Sequence, residues 1–438
     1  MKNFIKILTL VFVVVACSSP ADEPMLVQEE PFGENLVETI SGPTRSQQEA
    51  VSAARNAINR LFAANSRSGA TKEIASVKAI VSTMSRSNMS DTLIYVVNFA
   101  DENGFVMVSA PRTADEILAV VETGNYDPEE GTDNPGFNYF LDCAVEYVTN
   151  ISAVGLVTGD SISSELRPSN PDGYVTFKEI VDTLAHWGGR DNYALKIHWN
   201  QTGVFGKYCP NGIAGCGPVA IGTIAAHLNY LTVGKSLLTY NFPERDVDSD
   251  SITWQQFMVH DRENPNGSLS CWEKDKIWAH NAIGRMLRQI GYDCGSDYKT
   301  SSTSTLTGVC GAALKKYVPA ATSVSNYIKF DSKKVMRDID KGLLFMVSQT
   351  KENLGGHAWV ADGYDYTKVA KTRLKIIRNL TTNNVKIETV STDTIETSFT
   401  SFKWGWGGTQ DGYFANNVFE VGPYTFNTPQ YISVKIRE

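Results

Sequence analysis

Cysteine and histidine occur in two short motifs in the second half of the chain that could carry nucleophilic chemistry. Cys216 lies in AGCGP (residues 214–218), just before an apolar, helix-like segment. Pro218 suits the first turn of a helix, where its missing N–H costs nothing. Cys216 is therefore predicted at the helix N-terminus, where the positive end of the helix dipole favours thiolate over thiol. A structural cysteine at the start of a core helix would give the same pattern.

His357 lies in GGHAWVADGY (residues 355–364), between a glycine pair and an apolar strand. The glycines leave room for a substrate backbone. An imidazole there could accept the proton of Cys216 and later protonate a leaving amine. A third motif, WGWGGTQDGYF, begins at Trp404 and includes Trp406; these rings could exclude water from a cysteine–histidine pair. Taken separately, the second and third motifs also fit a strand-edge histidine and a glycine-rich turn.

The order and spacing of the three motifs resemble the streptopain-type cysteine peptidases, a bacterial branch of the papain-like superfamily. The separation of Cys216 and His357 falls within the range of roughly 130–150 residues typical of papain-like enzymes. Nearer the N-terminus, YVVNF (residues 95–99) and GFVMVSA (residues 104–110) look like the inhibitory propeptide of that family. The resemblance implies a papain-like catalytic domain with a helical lobe and then a β-rich lobe, preceded by a small α+β propeptide domain.

By this resemblance, Cys216 is the nucleophile and His357 is its acid–base partner. Three residues beside the histidine or in the third motif take supporting positions: Gly356, Trp404 and Trp406. The segment WNQ, which ends at Gln201, is similar to the Trp-x-Gln segment of the family. Gln201 would then donate its side-chain N–H₂, beside the backbone N–H of Cys216, to the oxyanion of an acyl-transfer intermediate. A surface amide is the alternative for Gln201.

Two positions depart from the pattern of that family. Lys403 precedes Trp404 where the family often has an asparagine, and an ammonium group cannot accept a hydrogen bond from imidazole. Either another group, such as a backbone carbonyl, accepts it, or the enzyme works as a dyad screened by Trp404. The dipeptide GP follows the cysteine where VA is frequent in the family, and proline there suits a helix start. Asp362 lies five positions after His357 on the same predicted strand, so it points to the opposite face and is not expected to orient the imidazole.

The elements that must position these residues follow from hydrophobic periodicity. The first region is predicted to be an α+β unit, with helices over 46–63 and 135–149 and strands over 75–83, 92–99, 105–109 and 117–122. The polar stretch 158–174 is predicted as a linker or exposed loop. The second region has predicted helices over 218–230 and 275–290, then strands over 343–348, 357–364, 374–378, 385–390 and 431–436. Helices followed by strands predict an α+β fold rather than alternating βα units.

The first 17 residues, MKNFIKILTLVFVVVAC, have the cationic start and short apolar run of a signal peptide. The small residues before Cys17 resemble a bacterial lipobox, in which the cysteine becomes the lipidated first residue of the mature chain. An ordinary secretory signal with a chance cysteine is the alternative. We therefore expect three parts: a lipoprotein signal peptide over 1–17, a tether and inhibitory propeptide over 18–165, and the catalytic domain over 166–438.

Composition argues against several classes of function. The 438 residues carry 40 Lys and Arg against 48 Asp and Glu, for a net charge of −8, so nucleic acid is not expected as a partner. After the signal segment, no apolar run approaches the ~20 residues that span a bilayer. None of the 7 cysteines forms a CxxC pair, so zinc and redox motifs have no support. We expect no metal and no other cofactor. The pairing of the cysteines is open.

The sequence thus predicts an exported, lipid-anchored cysteine endopeptidase made as a zymogen, which hydrolyses peptide bonds through a thioester. Its partners would be protein or peptide substrates and its own propeptide, an intramolecular inhibitor, with the membrane contacted only through the lipid. The expected location is the bacterial outer membrane, on the periplasmic or cell-surface side, with release after processing. Two alternatives stay open: a thiol amidase or transpeptidase of the same superfamily, and a non-catalytic surface lipoprotein that binds a host or envelope partner.

Overall fold

The computed structural model describes residues 43–62, 72–82, 92–158, 173–189, 197–233, 274–319, 321–349, 356–379, 382, 385–420 and 429–436. The signal segment with Cys17, most of the tether, and residues 159–172 of the predicted linker lie outside the described residues. None of the described helices is both long enough and apolar enough to cross a bilayer.

Helices and strands of the described part alternate irregularly along the chain. The helices are α1 (Gln47–Phe62), α2 (Pro135–Thr158), α3 (Cys216–Val233), α4 (Lys274–Asp293), α5 (Thr307–Tyr317), α6 (Ser332–Ile339) and α7 (Asn417–Glu420), with a 3-10 turn at Ala100–Glu102. The strands are β1 (Ile74–Val81), β2 (Thr92–Phe99), β3 (Phe105–Ser109), β4 (Ile117–Val121), β5 (Gly173–Gly189), β6 (Asp297–Tyr298), β7 (Thr303–Ser304), β8 (Ser323–Val324), β9 (Ile328–Lys329), β10 (Gly342–Gln349), β11 (Gly356–Asn379), β12 (Val385–Lys403), β13 (Gly412–Ala415) and β14 (Gln430–Lys435).

One large antiparallel sheet organises this part of the chain. Its strand order is β1-β2-β3-β4-β13-β12-β11-β10-β14-β8, with β5 also paired to β11 and β9 to β14. The two regions expected as separate units share this sheet, because β4 pairs with β13 through Val120 and Tyr413. The fold is α+β, as the element pattern predicts.

The centre of the sheet is buried on both faces. Along β10, Leu344 and Met346 belong to one apolar core while Leu343 and Phe345 belong to the other. Successive residues of a strand point to opposite faces, so a strand covered on both sides needs a continuous apolar run. The run LLFM provides it. Helices α1 and α2 contribute to the first core, and α3, α4 and α5 contribute to the second.

Aromatic side chains join α2 to the second region. Phe140 packs edge-on against Phe414, with ring centroids 4.7 Å apart. Tyr139 of the same helix contacts Trp359 of β11 at 6.0 Å. Such ring pairs add to the free energy of burying large apolar side chains. The first region is therefore held to the second by a packed core as well as by strand pairing.

Three predicted boundaries were wrong. Helix α2 continues to Thr158, beyond the expected end at 149, and the predicted strands over 357–364 and 374–378 are one strand, β11. The stretch between those two runs, DYTKVAKTR, has no glycine or proline, so nothing in it breaks an extended chain that is paired on both sides. Strand β12 likewise extends to Lys403, because it pairs with β11 from Val385 to Lys403.

Candidate active site

Cys216 begins helix α3, as its motif predicts. The carbonyl of Gly215 accepts the N–H of Val219 at 3.2 Å, which forms the first turn of the helix. Gly215 has a φ of +90°, a conformation that favours glycine. Ile221 and Ile224 of α3 are fully buried, so the helix is a rigid platform for the partly buried sulfur at its start.

His357 forms a hydrogen-bonded pair with the thiol of Cys216. Burial opposes the thiolate and raises the pKa of Cys216. The charge and hydrogen bond of His357, with the backbone N–H groups of Ala358 and Gly217, outweigh burial and leave the pKa of Cys216 lowered. The lowered pKa favours the thiolate of Cys216, the state in which a cysteine is nucleophilic.

The second nitrogen of the imidazole is held by a backbone carbonyl. Nε2 of His357 lies 2.9 Å from the carbonyl oxygen of Trp404, in a buried position. A carbonyl only accepts, so Nε2 carries the proton and Nδ1 is left for Cys216. The lysine at position 403 left two arrangements open: a backbone carbonyl as acceptor, or a dyad screened by Trp404. The structure contains the backbone acceptor.

Lys403 is buried with Asp411 as its partner. The Nζ of Lys403 lies 3.6 Å from Oδ2 of Asp411, and both side chains are only about 5 % exposed. A buried cation requires a counter-ion, and Asp411 is the acid of the third motif. Sequence reasoning missed the role of Asp411; the signal for it was a lysine next to an otherwise apolar and glycine-rich motif.

Gln201 lies in the loop that precedes α3. Its backbone carbonyl accepts the N–H of Ala214 at 2.7 Å, which ties Gln201 to the segment leading into Cys216. Its side chain is buried, and Nε2 has no hydrogen-bond partner among the residues the structure describes. Leaving a buried N–H₂ unsatisfied costs free energy, so Nε2 of Gln201 is a buried donor for which the described residues supply no acceptor. Its position does not fit a surface amide.

The supporting residues lie in different surroundings. Trp404 is fully buried, its Nε1 donates to the carbonyl of Gln410 at 2.9 Å, and its ring centroid is 6.5 Å from that of His357. Trp359, which sequence reasoning did not single out, stacks on His357 at 6.2 Å. Trp406 is half-buried and has no ring contact with His357 in the described part of the chain. Gly356 is exposed at the start of β11.

The N-terminal end of α2 lies directly against this site. A Cβ added to Gly136 would clash with Cε3 of Trp404 and lie 2.6 Å from Cδ2 of His357, so only glycine fits without a shift. Just before it, Asn134 donates to the carbonyl of Thr409 at 3.3 Å, and Thr132 contacts Gln410 at 3.1 Å. The segment 132–136 thus contacts both the imidazole and the loop that holds it.

Comparison with known proteins assigns these regions. Residues 199–414 match the Peptidase C10 family, and residues 42–148 match the Spi protease inhibitor family. The protein is a cysteine-type endopeptidase made as a zymogen, with an inhibitor domain ahead of its peptidase domain.

Streptopain from Streptococcus pyogenes is 24 % identical over 340 residues, which cover 74 % of each chain, and the form from serotype M1 matches to the same extent. A solved fragment of Prevotella intermedia prointerpain A, a cysteine-to-alanine mutant, is 18 % identical with a TM-score of 0.47 and covers 82 % of this chain and 98 % of the fragment. By its two domain matches and its streptopain relatives, this chain belongs to the streptopain-type cysteine peptidases.

Proposed function

We propose that Cys216 and His357 hydrolyse peptide bonds through a thioester. The thiolate of Cys216 adds to the scissile carbonyl carbon, and the oxyanion accepts hydrogen bonds from Nε2 of Gln201 and the backbone N–H of Cys216. His357 gives its Nδ1 proton to the leaving amine. It then takes a proton from the water that attacks the thioester.

The observation that supports this most is the position of His357 between two partners. One ring nitrogen faces Cys216 and the other is fixed by the carbonyl of Trp404. An ordinary strand-edge histidine would not need both contacts. The test is turnover of a quenched peptide by the purified protein after limited proteolysis, with the variants Cys216→Ser and His357→Ala. Both variants are expected to lose activity, and activity that survives in Cys216→Ser would overturn the proposal.

A substrate panel separates peptidase activity from the related thiol chemistries. Unmodified peptides and denatured proteins are expected to be cut, whereas isopeptides and small amides are expected to react slowly. No metal or organic cofactor is needed for this chemistry, so chelation with EDTA is expected to leave the rate unchanged. Inhibition that added metal restores would contradict that part of the proposal.

The propeptide is proposed to inhibit by seating the segment 132–136 against His357 and the loop after Trp404. Activation then requires a cut that releases α2. Strand β5 pairs with β11 from Tyr364 to Asn379, which argues that β5 stays with the catalytic part. We therefore place the cut between Thr158 and Gly173, close to the boundary between the predicted propeptide (18–165) and catalytic domain (166–438).

Export and lipid attachment at Cys17 complete the proposal. They rest on the signal-like sequence of residues 1–17 alone. The lipid would be the only membrane contact, at the outer membrane on the periplasmic or cell-surface side, and nucleic acid is not a proposed partner. Metabolic labelling with palmitate tests this: the wild type is expected to incorporate label and sediment with membranes, and Cys17→Ser to do neither. Unlabelled, soluble wild type would contradict lipidation.

A further inference from the structure

The buried carboxylate of Asp411 contacts Trp404, and the carbonyl of Trp404 accepts the imidazole proton of His357. Oδ1 of Asp411 accepts the backbone N–H of Trp404 at 2.9 Å. Oδ2 of Asp411 lies 3.6 Å from Nζ of Lys403 and 3.5 Å from Nδ1 of His198. Trp404 is thus held at its N–H by Asp411 while its carbonyl holds His357.

This anchor matters because the next residue is a glycine. Gly405 has a φ of +72°, and a glycine can rotate the peptide that carries the Trp404 carbonyl at little steric cost. The backbone of Trp404 must therefore be fixed by its own contacts. Two contacts do this: the backbone N–H donates to Asp411, and the indole Nε1 donates to the carbonyl of Gln410.

We propose that Asp411, with Lys403 as its buried counter-ion, is a positioning residue for His357 that acts through the backbone of Trp404. The proposal rests on the function assigned above to the Cys216–His357 pair. It explains why this chain needs no side-chain acceptor for the imidazole at position 403. Lys403 pairs with Asp411, which holds Trp404, instead of contacting the imidazole itself.

The charged groups around Asp411 agree with this role. Burial raises the pKa of Asp411, but Lys403 first, then His198 and the N–H of Trp404, outweigh it and leave the pKa lowered. Lys403 and His198 are the titratable groups that the described structure places against this carboxylate, and Cys216 is the one against His357. Removing Lys403 would therefore raise the pKa of Asp411.

The experiment compares Asp411→Ala, Asp411→Asn and Lys403→Met in the processed enzyme. Asp411→Ala removes the acceptor, so kcat is expected to fall by about 10- to 100-fold, the scale of a misplaced catalytic group, with KM within about threefold. Asp411→Asn keeps an oxygen that can accept the Trp404 N–H and is expected to retain more activity. Lys403→Met is expected to move the acid limb of the kcat profile to higher pH.

The pH dependence of Cys216 alkylation supplies a readout that a purely structural role would not move. In Asp411→Ala its midpoint is expected to shift upward, because an imidazole that is no longer held against the sulfur stabilises the thiolate less. Asp362→Asn is the matched control, since Asp362 is a fully buried acid of β11 whose charge acts on His227 of α3. It is expected to leave the alkylation midpoint unchanged.

Two results would overturn the proposal. One is an unchanged kcat in Asp411→Ala. The other is an equal loss in Asp411→Ala and Asp411→Asn, with the same fall in Tm and an unmoved alkylation midpoint, which would mean that Asp411 serves the fold alone. If Asp411→Ala does not fold, Asp411→Asn and Lys403→Met decide by the same readouts. Activity surviving in Cys216→Ser would instead refute the proposed function, so the two failures are distinguishable.

Discussion

Gly136 of the inhibitor region lies against the imidazole of His357, closely enough that a Cβ would be 2.6 Å from Cδ2. The start of α2 therefore touches the same side chain that pairs with Cys216. A close backbone approach of this kind makes the fit sensitive to a single methyl group, because overpacked sites do not relax freely.

Gly136→Ala is expected to weaken inhibition in the uncleaved protein. The added methyl group forces α2 away from His357 and Trp404, and overpacking of about 1–3 kcal/mol corresponds to roughly a 5- to 150-fold increase in the open form. The measurement is the rate at which a peptidyl epoxide labels Cys216 before cleavage. Gly308→Ala is the control, because a Cβ at Gly308 meets nothing within 4 Å. Equal labelling rates in wild type and Gly136→Ala would contradict the contact.

Phe140→Ala is expected to destabilise the zymogen. Phe140 is fully buried against Phe414, and truncating such a ring typically costs about 3–5 kcal/mol. The measurement is the free energy of unfolding of the uncleaved protein in urea, together with its rate of activation by trace protease, which should rise. Val81→Ala serves as the control, since Val81 is 43 % exposed. A loss no larger than that of the control would argue against the shared core.

N-terminal sequencing of the activated protein is expected to find a new terminus between residues 159 and 173. Strand β5 pairs with β11 along its length, and removing it would leave backbone N–H and C=O groups of β11 without partners. A mature terminus beyond Gly189 would show that β5 leaves with the propeptide. It would also move the boundary of the catalytic domain.

Gln201→Ala is expected to lower kcat by about 10²–10³-fold with little change in KM, the usual cost of losing one oxyanion donor. The thermal midpoint should not fall, because the substitution removes a buried N–H₂ that has no partner in the described structure. Activity within about threefold of wild type would exclude Gln201 from the oxyanion site. A large fall in Tm would instead assign it a structural role.

Much of the first region and the start of α3 could be predicted, because their patterns are local. Strand β2 has the predicted bounds, and Cys216 begins its helix where Pro218 indicates. The length of β11 could not be predicted in this way. Its outer half is extended because β5 and β12 pair with it from distant positions in the chain, and pairing partners are not encoded in a local window.

In the candidate site, too, local patterns could be predicted and long-range contacts could not. Cys216 and His357 could be nominated because each lies in a motif that a helix start or strand start explains. The acceptor at Trp404 is a backbone carbonyl, which has no sequence signature, and the Lys403–Asp411 pair becomes visible only when both side chains are found buried together. Gly136 was missed because its importance depends on the atoms of His357 and Trp404 with which a side chain at this position would clash.

The most direct test of the central claim is the pH dependence of iodoacetamide alkylation in the processed enzyme, with the modified cysteine identified by mass spectrometry. His357 lowers the pKa of Cys216, so the thiolate should persist below the usual thiol pKa of about 8.5. Cys216 should then be modified there before the other cysteines, and peptidase activity should be lost in parallel. In His357→Ala the midpoint should rise, because burial of the sulfur is no longer opposed by the imidazole. An unmoved midpoint in that variant, or activity that survives complete modification of Cys216, would contradict the account.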